Sequence, residues 1–209
     1  RRGKTDDPSL GLITHKDELG LIVKRVVEEG KIRLETTSSA RPWIYGEGPI
    51  DLLGEYEIVP SVLSFGARHV GEESGGAHPG RDGNVPKWSN CWVSTGLAKA
   101  QLAEKGVSIG TKAVIGRNRK TPLILGDCIG GYALDCKAAV AILLGVMEAI
   151  RDLPLVRTVH FIITSKEEPG VLGGLFASRT LRLQHLIAVE VGPVAAEYET
   201  SNCEQPILL

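Results

Sequence analysis

Four apolar segments of this 209-residue chain run into residues that can bind cations or move protons. GLIT leads to His15 and Asp17, the glycine-rich turn CIGGYALD ends at Asp135, HFIIT is followed by Glu167 and Glu168, and HLIAV by Glu190. Open α/β sheets bind ligands just beyond the carboxyl ends of their strands, so these residues are placed to share one crevice. Carboxylates and an imidazole crowded together repel unless cations neutralise them. Several carboxylates with one histidine suit two hard or borderline divalent ions, which activate water and polarise carbonyls. Each piece alone has a plainer reading. His15 with Asp17 suits a surface loop, Glu167–Glu168 a solvated charge run, Asp135 a helix N-cap, and Glu190 a lone surface charge. Their recurrence at successive strand ends favours the joint reading.

The elements that must position them follow from periodicity. GLIT, LGLIVKRV and KIRLET read as strand, strand, hairpin, strand. From about residue 36 to residue 116 the texture turns loop-rich. SSARPW, YGEGP and GEESGGAHPGRDGNVP separate short β-type pieces such as EIVPSVLSF and WVSTG, and the short helix LAKAQLAEKG stops at Gly106. The last third alternates strand and helix: TPLILG, the helical run CKAAVAILLGVMEAIRDL, VHFIIT, the short helix GGLFASRTL, and HLIAVEVG. In the long helix Val140, Leu143, Leu144 and Met147 fall at i, i+3, i+4 and i+7, predicting the apolar face. This pattern predicts an α/β fold, a mostly parallel sheet with flanking helices plus a small β-rich insert.

Composition narrows the function classes. Hydrophobic residues make up 43% and charged residues 23%, with a net charge of -1, so nothing draws the whole chain to nucleic acid or to an anionic membrane. Aromatics at 5% are too sparse for stacking single-stranded nucleic acid. The longest apolar run, Ala138 to Met147, is far short of the roughly 20 residues that span a bilayer. Cys91, Cys128, Cys136 and Cys203 contain no CxxC pair, which excludes a zinc ribbon and a thioredoxin motif. The default setting is reducing and cytoplasmic. GKT at residues 3–5 lacks the strand and upstream glycine of a phosphate loop, and no HExxH or GxSxG occurs.

THKDELGLIVKRV resembles the H-x-D-E-x-G strand and hairpin of the tetrahedral (TET) dinuclear metallo-aminopeptidases, the glutamyl and deblocking aminopeptidase family. GVSIGTKAVI, YALDCKAAVAILL, VHFIITSKEEPGVLGG and LIAVEVGP resemble its later blocks, in order. The resemblance is weakest over residues 36–90. It implies a zinc-peptidase catalytic domain formed by residues 1–35 and 117–209, interrupted by a dimerisation- or oligomerisation-type insert at 36–116. It implies two divalent ions, zinc or cobalt first and manganese next, with peptide substrates and a homo-oligomer of up to twelve subunits. By matching position, His15 and Glu190 hold one ion, Asp135 bridges both and Glu168 holds the other. Asp17 orients the His15 ring, and Glu167 is the general base for the attacking water. In the resembling families the peptide bond after the bridging Asp is cis.

The chain departs from the family pattern in places. Glu190 stands where Asp is usual, and Cys136–Lys137 where an acidic or amide residue and Arg are usual. The second metal's histidine near the family's C-terminus has no counterpart among the 19 residues after Glu190. The expectation is therefore a fragment of a longer enzyme. His69 and His78 read as exposed loop residues, His160 as core, His185 as surface and Cys136 as a buried small residue. Two alternatives stay open. DCKAAVAILL is as close to the D-x-K block of dinuclear amidohydrolases and carboxypeptidases, and the missing histidine would suit an inactive scaffold subunit.

Overall fold

Alternating apolar residues build eleven strands among the described residues, and these sort into a parallel sheet, a closed antiparallel barrel and a two-stranded ribbon. The computed structural model describes residues 9–27, 29–66 and 85–194; GKT, His69, His78 and Cys203 lie outside them. In chain order the elements are β1 (Leu10–His15), β2 (Leu21–Val26), β3 (Lys31–Thr36), α1 (Pro42–Tyr45), β4 (Gly48–Leu53) and β5 (Ile58–Ser64). There follow β6 (Trp92–Ser94), α2 (Lys99–Glu104), β7 (Lys112–Ile115), β8 (Leu123–Leu125), β9 (Cys128–Gly130), α3 (Leu134–Ala149), β10 (Val159–Thr164), α4 (Leu172–Thr180) and β11 (His185–Ala188). No helix among the described residues is long and apolar enough to cross a membrane.

The chain divides into two compact units, one of Arg1–Glu18 with Ala133–Leu209, the other of Leu19–Tyr132. In the first, β1 lies between β10 and β11, all parallel. Register runs from Leu10 opposite Val159 to His15 opposite Thr164, and from Leu10 opposite His185 to Ile13 opposite Ala188. Parallel strands cannot be joined by tight hairpins, so α3 and α4 supply the connections. Helix α3 buries Cys136, Ala139 and Leu143, while Leu144 and Met147 of the predicted face are 52% and 41% exposed. A three-stranded sheet is narrow, and it covers only one line of a helix that is apolar on several sides.

The second unit is a closed antiparallel barrel in the order β2-β3-β6-β5-β4-β7. Alternate residues point inward, the period of two that strand geometry imposes. Leu21 and Val23, Ile32 and Leu34, Ile50 and Leu52, Val59 and Leu63, with Val93 and Ala113, are almost fully buried. Trp88 stacks edge-on against Tyr45 and donates its indole N–H to the Ala40 carbonyl at 2.8 Å, while the Tyr45 hydroxyl donates to the Leu19 carbonyl. Helix α2 occupies the place of the predicted short helix, and the left-handed Gly106 (φ 75°) follows it.

Two sequence expectations change here. The sheet is parallel only in its three strands; the other six-stranded sheet is antiparallel, so the mostly parallel reading holds for the first unit alone. The β-rich unit is also wider than residues 36–116: β2 and β3 are barrel strands, and β8 pairs only with β9 in an exposed ribbon. The reason is that alternation reports a half-buried strand without saying which partner it pairs with.

The three tryptophans, Trp43, Trp88 and Trp92, all lie in the barrel unit, so their fluorescence follows that unit. Leu52→Ala, which empties a fully buried barrel position, should destabilise it by about 2–5 kcal/mol. Urea unfolding read by tryptophan emission should show the lowered midpoint; an unchanged midpoint would contradict the barrel core.

Candidate metal centre

The parallel sheet brings the predicted residues to one edge. His15 ends β1, and the β10 and β11 segments run on through Thr164 and Ala188 to Glu167–Glu168 and Glu190, so all four residues leave the same carboxyl edge. Asp135 arrives from the start of α3. The left-handed Ala133, not Asp135, stands at the N-cap; Asp135 is extended (φ -78°, ψ 107°), and its peptide bond to Cys136 is cis. The loop carrying the two glutamates is a tight turn. The N–H groups of Gly170 and Val171 both donate to the Glu167 carbonyl, at 2.8 and 2.7 Å. Gly173 then lets α4 start against the strand end, where a β-carbon would lie 2.2 Å from the Ser165 carbonyl oxygen.

His15 is 1% exposed and forms the centre of the group. Its Nδ1 faces the Asp17 backbone carbonyl at 3.2 Å and the Asp17 carboxylate at 3.5 Å. Both are acceptors for a proton on Nδ1, the arrangement that would leave the Nε2 lone pair free for an ion on the other side. There Nε2 meets three carboxylate oxygens: Asp135 Oδ1 at 3.1 Å, Glu190 Oε2 at 3.3 Å and Glu167 Oε2 at 3.6 Å. One ring nitrogen can give at most one proton to three acceptors. The Glu168 backbone N–H donates to Asp17 Oδ2 at 3.3 Å, whereas its own Oε1 is buried with no hydrogen-bond partner among the described residues.

The field at this edge is strongly negative. Burial lowers the His15 pKa, but Glu190, Glu167, Asp17 and Asp135 together outweigh it and leave the value above 6.5. Burial, and then Asp135 and Glu167, push Glu168 up to about 7. A divalent cation would satisfy the surplus acceptors. The 3.1 and 3.3 Å separations at Nε2 match the edge of a tetrahedron, about 3.3 Å for bonds of about 2.0 Å.

The tightest donor group holds His15, Asp135, Glu190 and also Cys136, all ligand atoms within 4.8 Å of one another. Glu167 and Glu168 stand outside it. The sequence favours a buried small residue at Cys136 over a ligand or nucleophile beside the bridging Asp135; the residue is fully buried and also stands in this donor group. His185 is exposed at the start of β11 and His160 half-buried in β10, both away from this edge.

The family model described as M42 glutamyl aminopeptidase matches residues 1–208. The chain belongs to this family. SgcX of Escherichia coli (strain K12), which carries a provisional aminopeptidase name, is 22% identical over 206 residues, covering 98% of this chain and 51% of that protein. The aminopeptidase APDkam598 from the archaeon Desulfurococcus kamchatkensis has a similar structure, with a TM-score of 0.79 at 18% identity, over 98% of this chain and 53% of that one. The TET1 peptidase of Pyrococcus horikoshii, which can assemble into a tetrahedron or a large octahedral shell, matches with a TM-score of 0.69 at 23% identity, over 89% of this chain and 54% of that one. The chain thus spans about half the length of these M42 relatives.

The linkage signs make a pH test available. The folded, metal-free chain holds the His15 proton more tightly than the unfolded chain, a stabilisation complete below about 6.5 and lost as pH rises through the raised pKa. A cation needs His15 neutral, so its own stabilisation grows over the same interval. Zinc should raise the melting temperature followed by circular dichroism, by the equivalent of about 2.7 kcal/mol at a hundredfold excess over Kd. The gain should be larger above neutral pH than below it, and a chelator should reverse it. Equal gains on both sides would place the cation elsewhere.

Proposed function

We propose that this chain carries the metal-binding part of an aminopeptidase that removes N-terminal residues from peptides. The observation that carries the reading is the buried His15 Nε2, faced by three carboxylate oxygens, in a chain of the M42 family. His15 and Glu190 would hold one divalent ion, Asp135 would bridge to a second, and Glu168 would hold that second ion. Zinc or cobalt suits the single imidazole among carboxylates, and manganese follows. Such ions, when bound, polarise the scissile carbonyl and acidify a water.

The chain's own residues do the rest. Asp17 fixes the tautomer and orientation of His15 through Nδ1. Glu167, one-third exposed and beside Nε2, would take a proton from the attacking water on a carboxylate oxygen and pass it to the leaving amine. The exposed Asp135 and Glu190 carboxylates offer negative charge to a substrate's free amino terminus. The β-barrel unit would serve assembly into a homo-oligomer. The described cysteines are free thiols, which supports a reducing, cytoplasmic setting.

The role assignment separates two neighbouring glutamates. Glu167→Gln should leave metal affinity nearly intact while turnover of an aminoacyl amide falls by about 10²-fold or more. Glu168→Gln should weaken metal binding as well, because it removes a charged donor. Calorimetric metal titration of this chain, with turnover measured on a protein of the relatives' length that contains it, reads both. Equal metal loss in the two variants would refute the assignment. Hydrolysis of N-acyl amino acids in preference to unblocked peptides would favour the amidohydrolase alternative.

A further inference from the structure

Cys136 stands where the family pattern offers an acidic or amide residue, and its sulfur has a definite place. The side chain is fully buried. It leaves the α3 start toward the end of β1, where Thr14 Oγ1–H donates to Sγ at 3.3 Å, and the Val189 carbonyl lies 3.9 Å from it. Thr14 and Val189 directly precede His15 and Glu190 in the chain. The sulfur is thus enclosed by the backbone that carries two of the candidate ligands; it accepts from the Thr14 hydroxyl, and its thiol S–H is directed at the Val189 carbonyl.

Its separation from the other donors is the deciding observation. Sγ, a His15 ring nitrogen, and one carboxylate oxygen each from Asp135 and Glu190 lie within 4.8 Å of one another. A tetrahedral ion holding sulfur at about 2.3 Å and nitrogen or oxygen at about 2.0–2.1 Å separates these donors by about 3.6 Å, so shifts of about 1 Å bring even the widest pair into place. The four atoms therefore need only small side-chain adjustments to share one ion. Asp135 and Cys136 come from adjacent positions, His15 from β1 and Glu190 from beyond β11, so the donors approach from three segments.

We propose that Cys136 is a sulfur ligand of the ion held by His15, Asp135 and Glu190, so that this position is a mixed N/O/S site. The proposal rests on the metal-centre reading above and adds the sulfur to it. On ligation the thiol proton leaves to solvent and the thiolate binds the ion. A thiolate in the set selects borderline ions such as zinc and cobalt and disfavours manganese and magnesium.

X-ray absorption of this chain loaded with one equivalent of zinc tests the idea on the unsubstituted protein. A sulfur shell at about 2.3 Å, distinct from nitrogen and oxygen at about 2.0–2.1 Å, is expected. Anaerobic cobalt titration should in parallel give a near-ultraviolet thiolate-to-cobalt charge-transfer band that saturates with the visible cobalt bands. Cys136→Ser, close in size to the thiol it replaces, should bind cobalt and lose the charge-transfer band. Metal bound with a nitrogen and oxygen shell only, or a band that persists in Cys136→Ser, would overturn the sulfur ligand and leave the His15 reading standing. Failure to bind zinc or cobalt at all would overturn both.

Discussion

A buried imidazole nitrogen that meets three carboxylate oxygens within 3.6 Å is stable only where positive charge sits among them, and the first unit is arranged around that demand. Burial alone would drive His15 to the neutral form; the surrounding acids pull it back. Glu168, with a buried oxygen lacking any hydrogen-bond partner among the described residues, is pushed up to about 7 by burial first and then by Asp135 and Glu167. Proton and cation are the two ways to relieve this repulsion, and they compete for the same atoms. A negative edge of this kind would be a defect in a scaffold.

Topology supplies the crowding. Three parallel strands end at one edge, so residues distant in sequence reach the same few ångströms; His15 and Asp135 are 120 positions apart. Most of that separation is the barrel unit, which interrupts the first unit between Glu18 and Ala133. A barrel has no free sheet edge and fills its own interior with side chains. Its buried apolar cluster lies within Leu19–Tyr132.

The first unit is different. Ile142, Leu144 and Met147 of α3, Leu175 and Phe176 of α4, and Leu186 and Ile187 of β11 are all exposed by 41% or more. Among the described residues the buried apolar side chains are divided unequally, eighteen in the barrel unit against Cys136, Ala139, Leu143 and Ile162 in the first, and the contrast follows from sheet width. Three strands have two edges and cover little helix surface. The chain spans about half the length of its relatives, and its candidate metal centre lies on the unit with fewer buried apolar residues among those described.

The sequence by itself determined the local elements and the chemistry they end in. Strand periodicity marked β1, β3, β10 and β11 close to where they form, and the acidic residues and His15 beyond the strands were legible because side-chain type and strand ends are local properties. Tertiary structure alone decided three things. Pairing of β2 and β3 into the barrel depends on β6 and β7, far along the chain, and alternation cannot name a partner. The buried line of α3 depends on the width of the sheet beneath it, so Leu144 and Met147 could not be placed from their spacing. The place of Cys136 beside His15 and Glu190 arises where α3, β1 and β11 meet. Such a meeting is a property of non-local packing, and no window of sequence contains it.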